Sequence, residues 1–417
     1  MTTTNGTNNG TATIEYNNMT IVQTETELQT TSESATKQDT PTAINSKKEK
    51  KTRTKKPRLN AIQTVDVVLD AGSHNTKTYI NGYYRSFTSV FKQITSELPS
   101  GMAGCFSYKD KNYIVGSLSE GFPGKAVYAY QDNKISKLDI WLIGALAYDC
   151  DFLDELIADK TRVNKYKNLP IRLDVSLKLL SLSSSKKGMI TKIFGDVGSF
   201  IYRNKVFEVR VNNLECENGL IFSEGYGAAL TAREMLEDDQ TEFYILDLGG
   251  GTLTLTQYDK GRKIPNSIHR SVATGGGMQI VAETIYTTVT NSDLGGQEFT
   301  MKGIFAALKA CKMKGDNYYT PYSLGRKNID ISPNIPQALE TWIQQNPTIK
   351  SLLAETRTAL NSGLPVFATG GGFASKIIAD WLTEYLKEEI EEAQFQVLEK
   401  PQSINVTGMK LLETSAI

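Results

Sequence analysis

Two short segments pair a strand-terminal aspartate with a glycine turn. The first, Asp70-Ala-Gly-Ser-His-Asn-Thr-Lys77, places Gly72 two residues after the acid. A residue without a Cβ lets the chain turn sharply there and brings backbone N–H groups close to a ligand. Ser73, Asn75 and Thr76 add small polar donors, and Lys77 supplies a positive charge suited to a phosphate. The second, Asp247-Leu-Gly-Gly-Gly-Thr252, sets three successive glycines, Gly249, Gly250 and Gly251, ahead of Thr252. Backbone donors with no side chains in the way suit an anion, and glycines in a strand turn point to close approach of another group. Either segment alone also fits a tight hairpin or a backbone-on-backbone contact. Their recurrence favours a ligand: two such loops face to face would grip one triphosphate from both sides. Asp70 and Asp247 would then be directed at a magnesium ion, most naturally through its water shell.

Three further segments carry similar potential. Glu224 closes an apolar run in Gly219-Leu-Ile-Phe-Ser-Glu-Gly-Tyr and precedes a helical pattern. Two readings fit it: a carboxylate that complements a helix dipole, or one that orients water at a γ-phosphate, a reaction governed by positioning and electrostatics. Val366-Phe-Ala-Thr-Gly-Gly-Gly-Phe373 runs from an apolar strand through Gly370, Gly371 and Gly372 into a helix start. With Phe373 it offers a flat surface for a base and N–H donors for ribose or phosphate. Thr274 followed by Gly275, Gly276 and Gly277 has the same form and is a second candidate for the ribose and phosphate side. Each glycine run also fits an ordinary strand-to-helix joint.

The elements that must position these residues repeat along the chain. Residues 65–69 form a β-branched apolar run expected to be a buried strand, 78–80 continue as strand, and Asn81-Gly82 is a hairpin signal. The layout returns with 243–246 as a buried strand, 247–251 as a tight turn and 252–258 alternating Leu with Thr, before Asp259-Lys260-Gly261 reverses the chain. The two units lie 177 residues apart, the mark of an internal duplication. Helical spacing of Ala228, Ala229, Ala232, Met235 and Leu236, and of Ile377, Ile378, Trp381, Leu382, Tyr385 and Leu386, predicts two amphipathic, core-facing helices.

Composition narrows the class. The 417 residues hold 46 basic and 46 acidic side chains, so the whole molecule is not a nucleic-acid or membrane binder by charge. Residues 1–58 nevertheless carry nine basic and six acidic side chains, with eight of the basic ones in 47–58. The polar stretch 1–46 is read as disordered, and the basic stretch either as a solvated linker or as a contact for DNA, an acidic partner or anionic lipid. Two histidines, His74 and His269, exclude a multi-histidine metal site, and Cys105, Cys150, Cys216 and Cys311 form no CxxC pair. Reduced thiols of a cytoplasmic protein are expected. No apolar run approaches the roughly 20 residues needed to span a bilayer.

Taken in order, strand-DxGxxxTK, a glutamate before a helix, strand-DLGGGT and strand-GGG-helix resemble the actin, sugar-kinase and heat-shock-chaperone superfamily of ATPases. Within it the chain looks most like the bacterial actin-like plasmid-segregation proteins of the ParM or StbA kind. The resemblance spans residues 61–412 and includes the string Lys400-Pro-Gln-Ser-Ile-Asn-Val-Thr-Gly-Met-Lys near the C-terminus. It implies an α/β fold of two duplicated actin-like (ribonuclease-H-like) domains with a nucleotide cleft between them. After a tail over 1–60, domain I would cover 61–235 and domain II 236–417, its last stretch of about 20 residues packing back on domain I.

The same resemblance makes 70–77 and 247–252 the phosphate loops, 370–373 the adenosine loop, and Glu224 with Asp247 the catalytic pair. Its ligands would be Mg2+ and ATP, with GTP as the alternative nucleotide. ATP hydrolysis would drive self-association into filaments that position plasmid DNA through a separate DNA-binding adaptor. The basic tail and His74 in the first loop depart from the usual pattern. A small-molecule kinase of the same fold would need a substrate-facing aspartate, and none stands out. A chaperone would carry a substrate domain after the core, whereas about 45 residues follow the adenosine loop. An ATP-binding scaffold without turnover completes the alternatives.

Overall fold

Within 65–69 the exposed Asp66 interrupts the apolar run, while Val67, Val68 and Leu69 are buried in succession, so both faces of the strand are covered toward its carboxyl end. In the computed structural model this run is the centre of strand β1 (Gln63–Ala71). Residues 62–412 are described, apart from 100, 130–133, 160–168, 183, 217–218, 293 and 295–297. The expected tail over 1–60, with its basic stretch, lies outside the described residues.

β1 pairs antiparallel with β2 (Asn75–Ile80), and β2 with β3 (Tyr83–Thr88). Between β2 and β3, Asn81 at φ 45° and Gly82 at φ 92° are both left-handed, the geometry that a two-residue hairpin needs to match strand twist. On its other side β1 runs parallel to β4 (Ile171–Leu179), and β4 parallel to β5 (Lys205–Val211). β4 alternates strictly, turning Ile171, Leu173, Val175, Leu177 and Leu179 into the core. Beyond β5 the same sheet continues through Gly198–Tyr202, Cys105–Tyr108, Lys111–Val115, Val90–Ile94 and Ala126–Tyr128. Helix α1 (Leu138–Tyr148) is apolar nearly all round and packs Trp141, Leu142 and Leu146 into this first core.

The second half repeats the plan. β6 (Glu242–Leu248), β7 (Thr252–Asp259) and β8 (Asn266–Thr274) form an antiparallel meander. β9 (Val366–Thr369) runs parallel to β6, and β10 (Phe395–Val397) parallel to β9. The strand orders β3-β2-β1-β4-β5 and β8-β7-β6-β9-β10 are therefore the same, so the duplication visible around the two aspartates extends through both sheets. Asp70 and Asp247 lie at the carboxyl ends of the equivalent strands β1 and β6, the end at which open α/β sheets bind ligands.

Helix α2 (Tyr226–Arg233) joins the halves. Its Ala228, Ala229 and Ala232 pack on Phe243, Ile245 and Tyr258 of the second sheet. Leu230 instead meets Val68 and Leu180 of the first sheet together with Val406 and Met409 near the C-terminus. The expected boundary at 235 thus follows a helix shared by both halves, and the segment around 404–409 reaches the first half through it. Helices α3 (Met278–Thr290), α4 (Met301–Lys309) and α5 (Lys376–Lys387) belong to the second half, where Ile377, Ile378, Leu382 and Leu386 of α5 face the core. No helix among the described residues is long and apolar enough to cross a membrane.

The contact between α2 and the C-terminal segment is backbone on backbone. A Cβ on Gly227 would stand 1.9 Å from the Asn405 carbonyl oxygen, and one on Gly408 would stand 2.1 Å from that of Gly227. Gly227→Ala should therefore lower the unfolding free energy by about 1–3 kcal/mol, the scale of overpacking a tight contact. Gly188→Ala, where a Cβ meets nothing within 4 Å, is the control and should be neutral or mildly stabilising. Denaturant midpoints compare the two; equal midpoints would show that the segment is not locked against α2.

Candidate functional site

The loop between β1 and β2 is pinned from below by Ser89, a buried residue just beyond β3. Its hydroxyl donates to the Gly72 carbonyl at 2.6 Å and lies 2.9 Å from the Thr76 hydroxyl, while its N–H donates to the His74 carbonyl at 2.8 Å. Thr76 is thus turned into the first half, and Ser73 and Asn75 remain at the loop surface, half-buried. The Gly72 and Ser73 N–H groups donate to no acceptor among the described residues.

The loop between β6 and β7 is held the opposite way. The carbonyls of Gly249 and Gly250 accept from the first two amides of α3, Met278 and Gln279, at 2.9 Å each, and that of Gly251 accepts from Gly275 at 3.0 Å. With those carbonyls engaged on one side, the Gly250 and Gly251 N–H groups have no acceptor among the described residues. Ser73 Oγ would lie 3.8 Å from a Cβ on Gly251, so the two loops meet across the gap between the halves. Four unengaged backbone donors on two facing loops make an anion cradle.

Beneath the loops lies a buried charge cluster. Lys77 Nζ stands 3.5 Å from Asp70 Oδ2, and Asn405 donates to Asp247 Oδ2 at 2.8 Å. Burial opposes the Lys77 charge, but Asp70, Asp247 and Tyr84 together outweigh it and hold the ammonium above its ordinary pKa. Burial pushes the Asp247 carboxyl up, and nearby Asp70 adds to that; Lys77, Asn405 and Arg270 pull the other way without prevailing. Asp70 Oδ1 is a buried acceptor with no hydrogen-bond partner among the described residues. Such an oxygen fits a hydrated magnesium ion, whose waters donate. No three of His, Cys, Asp or Glu cluster among the described residues.

Glu224 precedes α2 and turns toward the second loop: a Cβ on Gly249 would lie 3.3 Å from its Oε1. Its other oxygen accepts from Arg270 Nη2 at 3.0 Å, a charge-assisted contact that fixes the carboxylate's orientation. Arg270 also acts electrostatically on Asp247, so one cation links the two carboxylates.

The remaining glycine runs differ in what they touch. The turn of Gly275, Gly276 and Gly277 stacks on the second loop, a Cβ on Gly277 meeting the Thr252 nitrogen at 2.5 Å. In the third run a Cβ on Gly370 would meet Asp247 Oδ1 at 2.4 Å, and one on Gly372 the Leu248 side chain. Gly371 alone faces open space. Phe373 is buried beside Phe395, yet it also edges a groove of about 550 Å3 lined by Tyr84, Lys376, Asp380, Lys400 and Ser403. Tyr84 lines this groove and also acts electrostatically on Lys77 of the charge cluster.

Three functional residues escape sequence reasoning: Ser89, Arg270 and Asn405. Their partners lie 17, 46 and 158 residues away. The one available signal is a polar side chain inside an apolar alternation, as with Asn405 between Ile404 and Val406 and Arg270 between Ile268 and Val272.

No family model and no curated protein match the chain. Among solved structures, an archaeal actin homologue superposes with a TM-score of 0.58 at 15% identity, covering 85% of this chain and all of its own. A ParM from Clostridium botulinum, solved as a 15-stranded filament, gives 0.56 at 16% identity over 85% of this chain and 99% of its own. A Bacillus thuringiensis ParM with ATP gives 0.52 at 12% identity over 85% of this chain and 98% of its own. The chain therefore has the actin fold, two duplicated α/β halves, over the whole length of these structures.

The raised pKa of Asp247 has a sign that can be measured. The fold favours the protonated form, a stabilisation complete below the ordinary carboxylate value of about 4 and lost as pH rises through the higher folded value. Asp247→Asn removes the second buried negative charge and leaves Asp70 paired with Lys77. The ligand-free variant should be more stable than the parent by about 1–2 kcal/mol at neutral pH, with the gap closing toward pH 4. Denaturant midpoints across that range decide it; a gap that does not change with pH would mean Asp247 is not the titrating group.

Proposed function

We propose that the chain binds Mg-ATP between the two loops, hydrolyses it and polymerises, as an actin-like motor of the kind that positions plasmid DNA. The observation that carries this reading is the pair of facing loops: four unengaged backbone N–H groups lie near two buried strand-end aspartates and one half-buried lysine. Gly72, Ser73, Gly250 and Gly251 orient the phosphates, Lys77 balances their charge, and the groove edged by Phe373 takes the nucleoside of ATP, with GTP as the alternative. A magnesium ion held through water by Asp70 and Asp247 would neutralise charge on the transferred phosphoryl group. Glu224, oriented by Arg270, accepts a hydrogen bond from the attacking water and aligns it.

The filament part draws on likeness to the Clostridium botulinum filament and the Bacillus thuringiensis ATP form. A head-to-tail contact between copies is heterologous and does not close, so it propagates. Closure of the halves around nucleotide would tie ligand state to subunit shape. A DNA-binding adaptor would link the filament to plasmid DNA, with the basic stretch 47–58 as its contact or as a direct contact to DNA. The compartment consistent with this role is the cytoplasm.

Light scattering of the purified protein should rise on adding Mg-ATP and decay as phosphate appears in the same cuvette. Phosphate release without scattering would instead support a kinase or chaperone, and neither signal would defeat the reading. Glu224→Ala should slow phosphate release about a hundred-fold while nucleotide affinity holds, prolonging the scattering plateau. Unchanged release would remove Glu224 from the catalytic role.

A further inference from the structure

His74 belongs to the first loop, yet the contacts of its ring lie in the second half. The imidazole sits directly over Gly250, where a Cβ would stand 2.4 Å from Nδ1. Nε2 lies 2.9 Å from Gln279 Oε1, and the ring tilts against Phe305 of α4 with centroids 5.8 Å apart. Gln279 in turn donates through Nε2 to Glu283 Oε1 at 2.7 Å, one helical turn along α3. Because the Gln279 amide nitrogen is committed to Glu283, its oxygen is the acceptor for His74, which places the proton on Nε2.

The arrangement also accounts for a glycine. Gly250 was expected to be bare so that a phosphate could approach, but what fills the space beside it is the imidazole. The residue that tops the second loop and the residue that crosses to it are sterically matched. The same loop carbonyl, that of Gly250, accepts from the Gln279 amide, so His74 and Gln279 grip one peptide from its two sides. An exposed ion pair between Lys302 of α4 and Glu120 of the first half, at 3.4 Å, spans the same gap near its rim.

We infer that His74 is an interdomain latch, a positioning residue that closes the first loop over Gly250 and Gln279 and must be released before the halves part. The contact between halves stands on geometry alone; its consequence, that nucleotide leaves slowly because the latch must open, rests on the nucleotide reading above. His74 touches no reacting atom in this role. It sets how long the cradle stays shut.

Two measurements on the full chain separate the latch from the nucleotide reading. Without nucleotide, the amides of Met278 and Gln279 report the grip through hydrogen exchange, because the imidazole packed on Gly250 presses that loop onto α3, where its carbonyls accept from both amides. His74→Ala and Gln279→Ala should each speed their exchange by about three- to ten-fold, the worth of one hydrogen bond. The double variant should exceed neither. Gly250→Ala should do the same by displacing the ring, and adding His74→Ala to it should bring no further loss. Unchanged exchange in His74→Ala, or additive effects in the pair, would overturn the latch.

With a fluorescent ATP analogue, His74→Ala should release the ligand faster by a similar factor, the change falling on release and KM rather than on kcat. Altered exchange with unaltered release would overturn the role in retention. A parent protein that shows the exchange pattern but binds no analogue would sink the nucleotide reading while the latch stands as a contact between halves.

Discussion

Two aspartates at the ends of equivalent strands in two separate sheets share a single buried ammonium. That constraint organises the rest of the molecule. Asp70 comes from β1 and Asp247 from β6, and Lys77 from β2 lies within the electrostatic reach of both. Two carboxylates against one cation leave a negative charge in a place water does not reach freely, and the raised Asp247 pKa is its signature. A folded chain rarely keeps such an excess without a use, because replacing one acid by its amide relieves it. A divalent cation supplied with a ligand would relieve it too.

Holding the excess in place requires that the sheets not drift apart, and the elements that prevent this come from far along the chain. Asn405 links Asp247 to the start of α2, its side-chain oxygen accepting from the Ala228 amide at 3.3 Å. α2 touches both sheets at once, through Ala228 and Ala232 on one face and Leu230 on another. The Gly227 and Gly408 contacts bring backbones together so closely that no side chain could intervene. Glu224 immediately precedes this helix, so the carboxylate placed at the second loop is fixed to the element that senses the position of both halves.

Much of this plan could be read from residue order. The Asp-x-Gly turn after a buried strand, its return 177 residues later, and the Asn81-Gly82 hairpin all encode local backbone geometry, which is where sequence speaks most directly. The same signals are less informative about what approaches a glycine. Gly249, Gly250 and Gly251 all announce close contact, yet Gly250 is bare beneath His74, Gly251 faces Ser73, and Gly249 faces Glu224. Gly277 has the same composition signal and meets only backbone. Ser89, Arg270 and Asn405 have partners set by the fold rather than by spacing, so the polar break in an apolar pattern that marks Arg270 and Asn405 does not say what they touch. α2 was equally hard to assign, because a helix that is apolar on one face does not say which of two sheets it covers.

The two loops differ in a way that bears on how the cleft moves. The first is tied to its own half by Ser89, a short buried residue with three hydrogen bonds to the loop, and so travels with the first sheet as a unit. The second is tied to α3 through the Gly249 and Gly250 carbonyls and travels with the second half. Any opening must therefore occur between the loops and not within them, and only contacts that cross that line resist it. Lys77 with Asp247 resists at the floor through charge, Lys302 with Glu120 at the rim through an exposed pair that salt screens. His74 lies between these levels, where the contact is sterically matched and rests on packing and hydrogen bonding to Gln279. Raising ionic strength should weaken the rim while leaving the middle and floor engaged, so the halves would hinge about the loops rather than separate along the whole cleft.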